Sequence, residues 1–147
     1  MSLDHERLDV YRLAVDFAAW AYHVSRGLKG LDRHARDQLL RASQSIALNI
    51  AEGCGKRTST DRAHFFRIAG GSARECGAII DILTRCDAVK PDHAAEGKQY
   101  LVRIVAMLSR LTERTGGVCE DAAEYAHDQT PGHRDAADPE NDNGPRT

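Results

Sequence analysis

Aromatic residues make up only 5% of this 147-residue chain: three phenylalanines, four tyrosines and one tryptophan. So few rings, scarce in the basic segments, argue against a protein that reads single-stranded bases by stacking on them. Apolar runs are short. No segment approaches the roughly twenty residues that a membrane-spanning helix requires. The first residues, with Asp4, Glu6 and Asp9, have neither a basic start nor an apolar signal core. The expectation is a soluble cytoplasmic protein with no membrane partner. Four cysteines, Cys54, Cys76, Cys86 and Cys119, show no C-x-x-C spacing. Cys76 and Cys86 fall at apolar helical positions, which predicts buried reduced thiols. No alternating strand pattern is present, and only Pro91 among the four prolines precedes Glu120.

The charge is unevenly spread. From Glu120 onward Glu120, Asp121, Glu124, Asp128, Asp135, Asp138, Glu140 and Asp142 face only Arg134 and Arg146, with no Leu, Ile, Val or Phe. That composition does not offset the entropy of ordering, so residues 118–147 are expected to form a disordered acidic tail. The whole chain carries a formal charge of −2, and without the tail eighteen basic and fourteen acidic residues leave a body of about +4.

Residues 1–117 are expected to hold the folded domain, an all-α, antiparallel up-down-up-down four-helix bundle. Val10, Ala14, Phe17, Ala21, Val24 and Leu28 alternate steps of four and three, which makes one helical stripe, and Gly27 and Gly30 bracket its end. A second helix starts near Asp32 and turns Leu39, Ser43, Ile46 and Ile50 inward until Gly53 and Gly55 break it. Thr58 and Asp61 have the spacing of a capping-box-like start for a third helix. Phe65, Ala69, Ser72, Cys76, Ile79, Leu83 and Cys86 form its stripe. Pro91 and Asp92 open the fourth, lined by Leu101, Ile104, Leu108 and Leu111 and ended by Gly116 and Gly117. Short connections favour antiparallel neighbours.

The second helix also carries a polar stripe. Gln38, Arg41, Ser45, Asn49 and Glu52 fall within about 80° on a helical wheel, and the third helix adds Gly71, Ser72 and Glu75. Gly70 and Gly71 cost about 1 kcal/mol each relative to alanine, so close approach of another backbone, within the bundle or from a neighbouring subunit, is expected there. The stripe admits three readings: a solvated face, a subunit interface where polar groups fix register, or a ligand or catalytic site.

The block Ser45 to Gly53, Ser-Ile-x-x-Asn-Ile-Ala-Glu-Gly, and the block Gly71 to Glu75, Gly-Ser-x-x-Glu, decide what the chain resembles. From about Leu8 to Leu111 it resembles the four-helix-bundle proteins of 23S ribosomal RNA intervening sequences. It is also similar to the accessory variability determinant of diversity-generating retroelements. The resemblance implies a homopentameric barrel, with Arg41, Ser45, Asn49, Glu52, Ser72 and Glu75 at the matching places of its oligomer interface; Gln38 and Gly71, on the same faces, are expected to join them there. It further implies binding of nucleic acid and of a reverse transcriptase through a basic barrel.

Catalysis finds little support in the residues, and no catalytic residue, metal ligand or cofactor is expected. Asp61-x-x-His64 is a poor version of the Glu-x-x-His pairs of two-metal bundle enzymes, and capping by Asp61 with a surface His64 is the plainer reading. Arg57 and His64, with six residues between them, fit loosely the Arg-x(4–6)-His pattern of helical ribonucleases of the HEPN type. That leaves an RNA-cleaving enzyme as the alternative, beside a protein-partner module indifferent to nucleic acid. Lys56, Arg57 and Arg62 cluster near the loop before the third helix, Arg67 and Arg74 share one of its faces, and Arg103, Arg110 and Arg114 follow on the fourth. They are either solvated faces with local pairs such as Arg110 with Glu113 or the contact surface for RNA or DNA. A pentamer would present roughly +20 before its tails.

Overall fold

The computed structural model describes residues 3–116, with side chains as far as Arg114; the expected acidic tail lies outside the described residues. Four helices fill that span: α1 (Asp9–Ser25), α2 (Arg33–Cys54), α3 (Ser59–Arg85) and α4 (Pro91–Gly116), with short 3-10 turns at Asp4–Arg7 and Gly30–Asp32. Each helix packs on its neighbours in sequence, and α4 closes against α1. The architecture is the antiparallel four-helix bundle, with no strand among the described residues.

The apolar stripes explain the packing. Val10, Leu13, Ala14, Phe17, Trp20 and Ala21 of α1 are buried, as are Leu39, Ser43, Ile46 and Ile50 of α2. Leu101, Ile104 and Leu108 close the core from α4. Each large aliphatic removed from water stabilises the fold by about 1.5–3 kcal/mol. Ser43 survives in this core because its hydroxyl donates to the Leu40 carbonyl at 2.8 Å, which removes the cost of an unpaired polar group.

Helix ends follow their local chemistry. Thr58 caps α3, its Oγ1 accepting from the Asp61 N–H at 3.1 Å, and Pro91 with Asp92 begins α4. Gly30, within the α1–α2 connection, takes φ +62°, a conformation glycine adopts without steric penalty. Asp87 takes φ 58° just beyond α3, where the Ala88 and Val89 N–H groups both return to the Leu83 carbonyl.

The structure corrects several expectations. Gly53 does not break α2, which continues to Cys54. A Cβ on Gly53 would stand 2.9 Å from the Phe66 ring and 3.2 Å from the Phe65 Cβ, so the glycine serves close packing of α2 on α3. Phe65 is only half-buried while Phe66 enters the core, because the inward arc of α3 is wider than one heptad line. Cys86 is exposed at the end of α3, Cys54 is half-buried and Cys76 is buried, all as free thiols; Cys119 lies outside the described residues. Among the described residues Gly70 and Gly71 meet no backbone of another helix, which leaves the neighbouring-subunit alternative for the close approach expected there. A Cβ on Gly70 would approach only the Arg74 guanidinium at 3.3 Å, and one on Gly71 would meet nothing.

Candidate interaction surfaces

The polar stripe divides into an inner and an outer part. Ser45 of α2 and Ser72 of α3 share a hydrogen bond of 2.8 Å across the helix seam. The Asn49 amide donates to both the Ser45 carbonyl, at 2.8 Å, and the Ser45 hydroxyl, at 3.0 Å. These half-buried and buried groups satisfy one another inside the protomer. Glu52 is exposed and holds Lys56 one turn on, at 2.8 Å.

Arg41 and Glu75 lie outside this network. Both are exposed, and neither has a hydrogen-bond or ion-pair partner among the described residues. Four residues back from Ser45 on α2 and three onward from Ser72 on α3 bring them to the same level of the antiparallel pair. Around them the surface is apolar: Leu48 is 66% exposed, Ile82 59% and Ile68 39%. Ile68, Gly71, Glu75, Ala78 and Ile82 form an exposed line within about 80° of α3's wheel. Gln38 is half-buried at the far end of the stripe. Periodicity in α2 pointed to this region, but the isolated exposed apolars gave no comparable signal.

The basic residues do not form one patch. Lys56 is half-buried, pairs with Glu52 and lies 5.0 Å from the Phe65 ring centroid. The neighbouring carboxylate raises its ammonium above the usual lysine value. Arg62 is also half-buried and donates to the Lys56 carbonyl at 3.2 Å; its Nε is buried with no partner among the described residues. Both side chains brace the α2–α3 turn.

Arg67, Arg74 and Asp81 repeat every seven residues on the flank of α3 that faces α4, where Asp81 pairs with Lys98. Glu96, Arg103 and Arg110 repeat likewise on α4, and Glu96 lines the groove between α4 and α1. These two basic lines therefore lie on different sides of α4, with Arg114 continuing the second. Arg110 donates to the Ala106 carbonyl at 3.3 Å and not to Glu113. Topology still gathers one group: the α2–α3 turn and the end of α4 lie at the same end of the bundle. Lys56, Arg57, Arg62, Arg67, Arg110 and Arg114 share that end. Arg57, Arg67, Arg74, Arg103 and Arg114 are exposed and without a partner among the described residues.

His64 is exposed on α3 and sets its ring edge-on to Phe65 at 5.4 Å. Arg57 is exposed on the preceding turn, and no hydrogen bond joins the two. Among the described residues no group of three His, Cys, Asp or Glu side chains has metal-binding geometry, and no helix is long and apolar enough to cross a membrane.

Comparison with known proteins adds a family and a fold. A family model described as 23S rRNA-intervening sequence protein matches residues 6–110. A crystal structure of a protein of unknown function from the S23 ribosomal protein family of Bacteroides thetaiotaomicron superposes with a TM-score of 0.66. The two share 19% identity, over 71% of this chain and 98% of the other. No curated protein matches.

Proposed function

Because the chain belongs to the 23S rRNA-intervening sequence protein family, we propose that it is a non-catalytic, self-associating helical scaffold that binds structured RNA or DNA by charge. The observation that carries the reading is that five of the arginines expected to contact nucleic acid, Arg57, Arg67, Arg74, Arg103 and Arg114, are exposed and without a partner among the described residues. Exposed guanidiniums without carboxylate partners contact phosphates without releasing an internal pair, and such contacts carry little sequence information. Their separation over three places on the bundle suits a nucleic acid of extended surface better than a small anion.

Self-association rests on the outer face of α2 and α3. Leu48, Ile68 and Ile82 are exposed there beside Arg41 and Glu75, and a second copy would bury the apolar groups while giving both charges partners. Gly71 leaves room for close approach. A closed homopentamer repeats each arginine five times, which turns a weak monomer field into a strong one. A reverse transcriptase is a further partner proposed on the same basic surface, and the site of action proposed is the cytoplasm.

The test is a mobility shift with labelled structured RNA and DNA across a salt series, on protein whose native mass is measured in parallel. Binding should weaken steeply as salt rises, since phosphate contacts release counterions. Association that ignores salt would refute the charge-based reading and favour a protein-partner module. Cleavage of the RNA, lost in Arg57→Ala and His64→Ala, would refute the non-catalytic reading in favour of the ribonuclease alternative.

A further inference from the structure

Between α3 and α4 lies a surface groove of about 430 Å³ that neither the polar stripe nor the basic end of the bundle uses. Gly77, Leu101, Val102 and Val105 line it, and Arg74 and Lys98 are its charged members. Gly77 keeps the floor low, with the Leu101 side chain 3.8 Å from where a Cβ would be. Val102 is 69% exposed, an apolar side chain left in water beside a cation. Arg74 has no partner among the described residues, whereas Lys98 is paired with Asp81. An occupant that matches this lining is apolar at its centre and negatively charged around it.

The sequence after α4 has that composition. Tyr125 is the only Phe, Trp or Tyr beyond Gly116, Val118 is the only branched aliphatic, and Glu120, Asp121, Glu124 and Asp128 surround Tyr125 with no Lys or Arg among them. Reach agrees as well. Val102 lies fourteen residues before the end of α4, about 21 Å back along the helix. The nine residues from Gly117 to Tyr125 span up to about 30 Å when extended. A segment tethered this closely has an effective concentration on the order of millimolar, so a modest intrinsic affinity is enough to hold it.

We propose that residues 118–128 of the same chain fold back into the α3–α4 groove, with Tyr125 over Val102 and the flanking carboxylates beside Arg74 and Lys98. Docking there covers an apolar strip and neutralises Arg74, one of the exposed arginines. The tail is then an internal competitor for part of the basic surface.

The experiment is photocrosslinking of the full-length chain with p-benzoylphenylalanine in place of Val102, followed by peptide mapping. Mixing isotopically heavy and light chains separates contacts within one chain from contacts between two. Crosslinks within one chain to residues 118–128 are expected. Their yield should fall about three- to five-fold in Arg74→Glu, the size of effect one exposed ion pair supplies, and should fall again in Tyr125→Ser. Helicity and melting of each variant are followed in parallel, so that loss of a crosslink is read only on folded protein. Crosslinks to the helices of a second copy would overturn the proposal by giving the groove to a subunit interface. So would crosslinks to a tail from another chain, or no crosslink at all. The readout contains no nucleic acid, so its failure is separate from failure of the scaffold reading.

Discussion

The ring of Trp20 occupies the space that a Cβ on Gly97 would need: its Cη2 and Cζ2 atoms lie 2.5 Å from that position. Trp20 stacks in turn on Phe17, with ring centroids 5.4 Å apart, so α1 and α4 meet through a glycine notch that holds an indole. Alanine at position 97 gains about 1 kcal/mol of helix propensity over glycine but collides with a buried ring. Overpacking of this kind costs about 1–3 kcal/mol. Gly97→Ala is therefore expected to lower stability in urea unfolding and to alter Trp20 fluorescence; equal or greater stability with unchanged emission would contradict the notch.

Ile46 and Ile50 of α2 are wholly buried. Replacing either with alanine should cost about 2–5 kcal/mol, from lost transfer energy and an unfilled cavity. Loss of less than about 0.5 kcal/mol, the usual size of a surface change, would mean that this stripe does not face the core.

The two parts of the polar stripe should separate under mutation. Ser72→Ala removes the hydrogen bond to Ser45 and is expected to lower stability by about 0.5–1.5 kcal/mol while leaving native mass unchanged. Arg41→Ala and Glu75→Ala remove exposed groups without partners, so stability should move by less than about 0.5 kcal/mol while the copy number falls. Native mass spectrometry alongside thermal melting checks both, and an unaltered mass in the double variant would count against the proposed subunit face. Asn49 and Glu52 have partners within the protomer, so their substitution mixes the two effects.

The thiols should report burial. Burial pushes the Cys76 thiol from 9.0 up to about 12, with the nearby Glu75 carboxylate adding to the shift. Cys76 should resist alkylation at pH 8 in folded protein, whereas exposed Cys86 reacts. Because the unfolded thiol ionises first, the stability due to this group is intact below pH 9 and is lost as pH rises toward 12. Stability measured from pH 8.5 to 10.5 should therefore decline more steeply in the native chain than in Cys76→Ala, and parallel curves would show that the thiol is not buried.

Helix number, order and inward stripes were legible because each apolar line repeats at the helical period and each end carries local punctuation, such as Thr58 before α3 and Pro91 at the head of α4. Gly97 carries no signal in the sequence because a glycine within a helix shows no trace of the ring that fills its place, and Gly53 reads from the sequence as a helix end. Cys86 reads from the sequence as the last member of the α3 stripe, yet it sits where the helix stops and is exposed among the described residues. The basic residues could be counted but not located.

By itself the sequence determined that the described chain forms four helices with a buried apolar side, since spacing along one strand of covalent chain dictates which residues share a helical face. Only the tertiary structure decided how those helices meet. It turned Ser45, Asn49 and Ser72 toward one another, left Arg41 and Glu75 without partners, and set Arg74 and Arg103 on different sides of the bundle. Contacts between helices depend on rotation and crossing in three dimensions, and a one-dimensional period leaves both free.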